Sequence, residues 1–296
     1  MNIKQFFFIL CFIFAFSFSH ATSNFGIAFV HGTNDHRADA YGDYWKTDFI
    51  ETIAKSLPNP DNVFVVHCDF SQYMWHPDAG DCTAKQLADF IRDKKLGSIT
   101  VFTHSNGGNV MRWILSNPSY HSDYLFLKHK IKQVIALAPS SGGTVLADMV
   151  IHGSSVTSNL AWLLGFHGDA IKQQREGDMA IFNEELLFGT KNRPALPVPF
   201  LAIVGTDVAA SPFSGSSYCN GYLRNSGLKI TKLYLEDCAD GFLNCDSQTA
   251  AGKVWFYDKD KLDNNAILNH NQSRHSCFGI EKLLIKALEA HGVRPS

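Results

Sequence analysis

SITVFTHSNGGNVMRW, running from Ser98 to Trp113, sets the reading of this chain. Ile99 to Phe102 are all β-branched or aromatic, with Thr100 the one polar residue among them, the composition of a buried strand. Just after Gly107 a helix-compatible run begins and continues through Trp113. Little chain is left between the two, so Ser105 has to sit on a sharp strand-to-helix turn, beside glycines that tolerate strained backbone. Such a turn lifts a serine Oγ above the strand edge. It also points the N–H of Asn106, at a helix N-terminus, toward any negative charge that develops there.

Outward from this turn, short β-rich runs alternate with helical patterns. Gly26 to Val30, Val63 to Val66, Ile99 to Phe102, Val134 to Leu137, Phe200 to Val204 and Val254 to Tyr257 read as strands. Trp45, Phe49, Ile53 and Leu57 repeat at helical spacing, as do Leu87, Phe90 and Ile91. Ile280, Leu283, Leu284, Ala287 and Leu288 form the apolar face of a closing helix. The order predicts one α/β domain, a mostly parallel sheet with helices on both faces. Two stretches interrupt it. Residues 151–189, with the apolar tract Leu160 to Phe166, read as an inserted cap, and Cys219 to Cys245 as a turn-rich excursion around a strand from Ile230 to Leu235.

Composition narrows the function classes. With 45% apolar and 18% charged residues in 296, the chain is an ordinary globular sequence rather than a disordered one. The 26 basic against 28 acidic residues leave a net charge of -2 and no basic run, which argues against a nucleic-acid partner. Lys4, the apolar run Phe6 to Phe18 and the small residues Ser19 and Ala21 read as a signal peptide, residues 1–21, cleaved after Ala21. A run of 13 residues is short of the roughly 20 that span a bilayer. The expected location is therefore secreted or periplasmic, and residues 22–296 form the domain. Removal of the leader leaves cysteines 68, 82, 219, 238, 245 and 277, an even number that suits disulfides. Cys68 with Cys82, and Cys219 with Cys238 or Cys245, would close short loops. No CxxC pair or zinc-type spacing appears, so no metal and no cofactor is expected.

Around Ser105 the sequence Thr103-His104-Ser105-Asn106-Gly107 resembles the G-x-S-x-G nucleophile elbow of the α/β-hydrolase superfamily, in particular its secreted lipases and esterases, with Thr103 in place of the first glycine. The likeness extends over nearly all of residues 22–296. Val30-His31-Gly32-Thr33 follows the first strand as the family's His-Gly loop does, which implies the N–H of Thr33 as a second oxyanion donor beside that of Asn106. Ala138 to Thr144 resembles the family's Pro-x-x-Gly-Thr turn.

A serine hydroxyl needs a histidine to take its proton and a carboxylate to fix the imidazole tautomer. The family's order, Ser then acid then His, leaves two choices for each. For the acid, Asp240 in Asp237-Cys238-Ala239-Asp240-Gly241 resembles the lipase Asp-Gly turn and is preferred, while Asp207, directly after a strand, is the alternative. For the base, His270 in Asn269-His270-Asn271 is preferred over His275. The resemblance implies a serine hydrolase of carboxylic esters, acting on a small-molecule or lipid ester with transient contact to a lipid surface. An acyltransferase would use the same residues. A binding protein on an inactive scaffold is the reading from outside enzymology.

Overall fold

The computed structural model describes residues 24–153, 168–209, 222–258 and 267–290. The expected leader, the tract 160–166 of the expected cap, and Cys219 lie outside them.

Six strands form a parallel sheet: β1 (Phe25–Val30), β3 (Val63–Val65), β5 (Ser98–His104), β6 (Ile131–Leu137), β7 (Phe200–Val204) and β8 (Lys253–Tyr257), in the order β3-β1-β5-β6-β7-β8. A small antiparallel pair, β2 (Asn34–Asp35) with β4 (Asp69–Phe70), lies apart from it. The described helices are α1 (Thr47–Ala54), α2 (Cys82–Asp93), α3 (Gly107–Ser116), α4 (Ser122–Lys130), α5 (Val145–His152), α6 (Ala170–Gln173), α7 (Glu176–Glu185), α8 (Tyr222–Lys232), α9 (Cys245–Thr249) and α10 (Ile280–Ala290).

The alternation of side chains along each strand builds two cores. Ala28, Val30, Val101, Val134 and Ala136 face Leu87 and Ile91 of α2 and Val110, Met111 and Ile114 of α3. Ile27, Phe29, Phe102, Ile135 and Ile203 face Phe49 and Ile53 of α1 and Leu284 and Leu288 of α10. Both faces are buried, which is why these strands read as continuous apolar runs rather than as alternating ones. Helices on two faces of a parallel sheet are the architecture expected from the sequence.

One expected strand is a correction. Ile230 to Leu235 is not β: Ile230 to Lys232 end α8 and a turn follows. The buried residues are Asn225, Leu228 and Thr231, spaced by three as on one helix face, while Ile230, Leu233 and Tyr234, which give the segment its β-rich look, are exposed. The cysteine pairing is a second correction. Cys68 bonds Cys82 as expected, but Cys238 bonds Cys245 directly, so neither is available to Cys219.

Candidate active site

The sheet's central strand β5 delivers Ser105 to its C-terminal edge, the place where open α/β sheets hold their ligands. Ser105 has φ +52°, a left-handed conformation that a residue with a Cβ adopts at a cost of roughly 1–3 kcal/mol. The turn is held by the N–H of Ser105 donating to the Leu137 carbonyl (3.0 Å) and by the close approach of the helix start to the next loop. A Cβ on Gly107 would lie 2.1 Å from the carbonyl oxygen of His31, so only glycine fits there. Thr103, standing where the elbow motif has glycine, is fully buried. It faces the start of α3 without crowding, since even a Cβ at Gly108 would only reach ordinary contact, 3.5 Å from Thr103 Oγ1.

Asn106 occupies the N-cap of α3, where first-turn N–H groups lack intrahelical partners. Its side-chain oxygen accepts from Gln173 (2.8 Å) and Gln174 (2.6 Å) of the α6 segment, which fixes the residue whose N–H follows the elbow. Thr33 lies opposite, on the loop after β1, and its carbonyl accepts from His36 Nε2 at 3.1 Å. The preceding His31 stacks on Phe70 at 4.1 Å, and burial holds its pKa down to about 3, so it is a neutral structural ring.

The two acid candidates have different surroundings. Asp240 is fully buried and meets His270 Nδ1 through Oδ2 at 2.8 Å. Its Oδ1 accepts from the N–H groups of Phe242 (2.9 Å) and Leu243 (2.8 Å), a turn closed by the Cys238–Cys245 disulfide. Asp207 instead binds Lys232 and its own neighbour Val208 N–H (2.8 Å). Burial opposes ionisation of Asp207, but these partners outweigh it and hold the carboxyl below its ordinary value.

The histidines separate as clearly. His270 is 5% exposed and lines a cavity of about 300 Å³ together with Ser105, Thr33, Phe242 and Asn271. The Phe242 ring stacks on its imidazole at 4.7 Å. Asn269 shapes the turn, its side-chain oxygen accepting from the N–H groups of Asn271 and Gln272 (both 3.1 Å). His275 is not among the cavity's lining residues, and burial, then the charge of Arg274, lowers its pKa to about 3.

Sequence reading passed over His104 and Tyr44. His104 Nε2 donates to the main-chain oxygen of His270 (2.9 Å), because a carbonyl can only accept. Its Nδ1 then accepts a hydrogen bond from the Tyr44 hydroxyl, while Tyr44 Oη accepts from the N–H of Gly32 (2.7 Å). Burial, then the charge of His270, holds His104 well below its ordinary pKa, and burial pushes Tyr44 up to about 12, so both stay neutral and every proton in this chain is assigned. It joins the Thr33 loop, the elbow and the His270 loop. No local pattern in sequence could have shown it, since Tyr44, His104 and His270 are far apart in the chain.

No family model and no curated protein sequence matches the chain. Solved structures do. The lipase BlEst2 of Bacillus licheniformis in mature form is 18% identical over 89% of this chain and 92% of its own, with a TM-score of 0.63. EstA from Clostridium botulinum is 11% identical over 90% and 86%, with a TM-score of 0.55. A Staphylococcus hyicus lipase is 11% identical over 91% and 97%, also at 0.55. At these identities the likeness carries the fold, which is that of the α/β-hydrolases.

Proposed function

We propose that this chain is a secreted serine hydrolase that cleaves carboxylic esters through an acyl-enzyme. Ser105 is the nucleophile, His270 the general base and then acid, Asp240 the orienting carboxylate, and the N–H groups of Thr33 and Asn106 the oxyanion donors. The observation that carries the reading is the buried 2.8 Å hydrogen bond between Asp240 and His270, with His270 and a left-handed Ser105 lining one cavity. With Nδ1 engaged by Asp240, Nε2 is the ring nitrogen left for proton transfer.

In this mechanism Ser105 Oγ attacks the ester carbon and its proton passes to His270 Nε2. The tetrahedral oxyanion is held by the two N–H groups until it collapses, and His270 returns the proton to the leaving alkoxide. Water, deprotonated by His270, then attacks the acyl-enzyme and releases the acid and Ser105. A cavity of about 300 Å³ is at the small end of ligand sites and favours short acyl esters. The two disulfides among the described residues support an oxidising compartment and hence export through the leader at residues 1–21.

A fluorophosphonate probe tests the proposal directly. Purified protein should be labelled at Ser105, and Ser105→Ala should take up no label while melting as wild type does. Folded wild-type protein that resists the probe and leaves p-nitrophenyl esters uncleaved would overturn it.

A further inference from the structure

The cavity that holds Ser105 and His270 is lined by two arginines, Arg224 and Arg274, and among the described residues no aspartate or glutamate lines it. Arg224 is exposed, on α8; Arg274 is 6% exposed, four residues after His270. A buried guanidinium is ordinarily matched by a carboxylate or by acceptors at all of its nitrogens. Arg112 shows the second arrangement. It is fully buried, and its Nε, Nη1 and Nη2 reach the Phe188 carbonyl (3.0 Å), Asn109 (3.4 Å) and Asn183 (2.8 Å).

Arg274 has neither. Nη1 donates to the Tyr44 carbonyl, Nη2 reaches only Asn271 Oδ1 at 3.4 Å, and Nε has no hydrogen-bond partner. No ion pair to a described carboxylate compensates the charge within 4.0 Å. The Tyr44 ring, 4.3 Å from the guanidinium carbon, holds the group in place by cation–π contact. Nε is itself buried, so Nη2, with one long contact, is the guanidinium nitrogen left short of acceptors, and a charged donor in that state suits a carboxylate or phosphate oxygen. Burial above all disfavours protonated Arg274, and the nearby charge of Arg224 adds to this while Tyr44 and Asp39 oppose it.

We infer that Arg274 and Arg224 form a receptor for an oxyanion carried by the substrate, so that this enzyme is selective for small esters bearing a carboxylate or phosphate near the scissile carbonyl. The inference rests on the reading of Ser105 as the nucleophile for its catalytic consequence, though not for binding. The substrate's anion supplies a counter-charge at contact distance, and in doing so places the ester carbon over Ser105.

Two matched pairs test it, followed by acid release in a pH-stat. Monoethyl glutarate against diethyl glutarate places a carboxylate on the acyl side; 1-butyrylglycerol 3-phosphate against 1-butyrylglycerol places a phosphate on the alcohol side. Wild-type protein should favour the anionic member of at least one pair by on the order of tenfold in kcat/KM, and the pair that responds identifies the source of the anion. Arg224→Gln, an exposed position, should reduce that preference about fivefold, and Arg274→Lys should reduce it as well if it folds. Calorimetric binding of monoethyl glutarate and of 1-butyrylglycerol 3-phosphate to Ser105→Ala separates the two readings. Binding of either that weakens in Ser105→Ala/Arg224→Gln upholds the anion receptor even if no ester is turned over. Absence of binding to both, or a wild-type preference for the neutral member of each pair, overturns it.

Discussion

His104 Nε2 lies 2.9 Å from the main-chain oxygen of His270, and this bond makes the residue before Ser105 a support for the loop that carries His270. The His270 carbonyl also accepts from Ser273 Oγ (2.9 Å), so the loop is held from the elbow side and from its own turn. On its other nitrogen His104 accepts from the Tyr44 hydroxyl, which steadies Gly32 beside Thr33. One neutral imidazole therefore ties together three loops that border the same cavity.

His104→Leu should leave the Tyr44 hydroxyl without its acceptor and remove one donor from the His270 carbonyl, lowering stability by about 1–3 kcal/mol. Because the base loop loses a restraint, kcat should fall by roughly tenfold or more with a smaller change in KM. His104→Gln, whose amide offers one donor and one acceptor, should recover part of kcat. Ester kinetics and thermal denaturation of the two variants check this, and equal losses in both would reduce His104 to a space-filling role.

Asp240→Asn should cut kcat on the order of 10³- to 10⁴-fold, since an amide cannot stabilise the imidazolium and favours the wrong tautomer. Adding His270→Ala should cost little beyond the worse single change, because the pair acts as a unit. Asp207→Ala removes an ion pair with Lys232 at a half-exposed site and should alter activity less than threefold. Single-turnover assays on the set would expose a misassigned acid at once.

Gly107→Ala sets two effects against each other. In a helix interior alanine is favoured over glycine by about 1 kcal/mol. Here the added Cβ would sit 2.1 Å from the His31 carbonyl oxygen, a backbone atom that cannot swing away. The clash should win, with a net loss of several kcal/mol of the kind seen on overpacking and strain, roughly 2–4 kcal/mol. A melting temperature at or above wild type would contradict the close approach of α3 to the His31 loop.

Acidification should destabilise the fold through its buried neutral histidines. Unfolded, His31 and His275 titrate near 6.5; folded, burial lowers each to about 3. Above 6.5 both states are neutral and stability is full. Below 6.5 the unfolded chain binds protons that the folded one refuses, so stability falls until the pH reaches about 3. At pH 5 the loss is about 2 kcal/mol for each ring. Urea unfolding at pH 7 and pH 5 should show it, and His275→Leu should flatten the slope by one proton's worth.

The amino-acid sequence by itself determined the order of strands and helices, the place of the elbow and the two cores, because these follow from local composition and period: a run such as Phe25–Val30, buried on both faces, needs no distant residue to be read as a strand. The same local signal misled at Ile230 to Leu235, where β-branched and aromatic residues face solvent and Leu228 and Thr231 carry the burial. Two acids and two histidines were left open for the site because adjacency in sequence says nothing of which carboxylate reaches which imidazole. Tertiary structure decided that Asp240, fixed by its turn and disulfide, bonds His270, while Lys232 takes Asp207. It also decided the partners of His104, Tyr44 and Arg274, since a hydrogen bond spans about 3 Å in space whatever the separation along the chain, and only the packed sheet brings those loops to one edge.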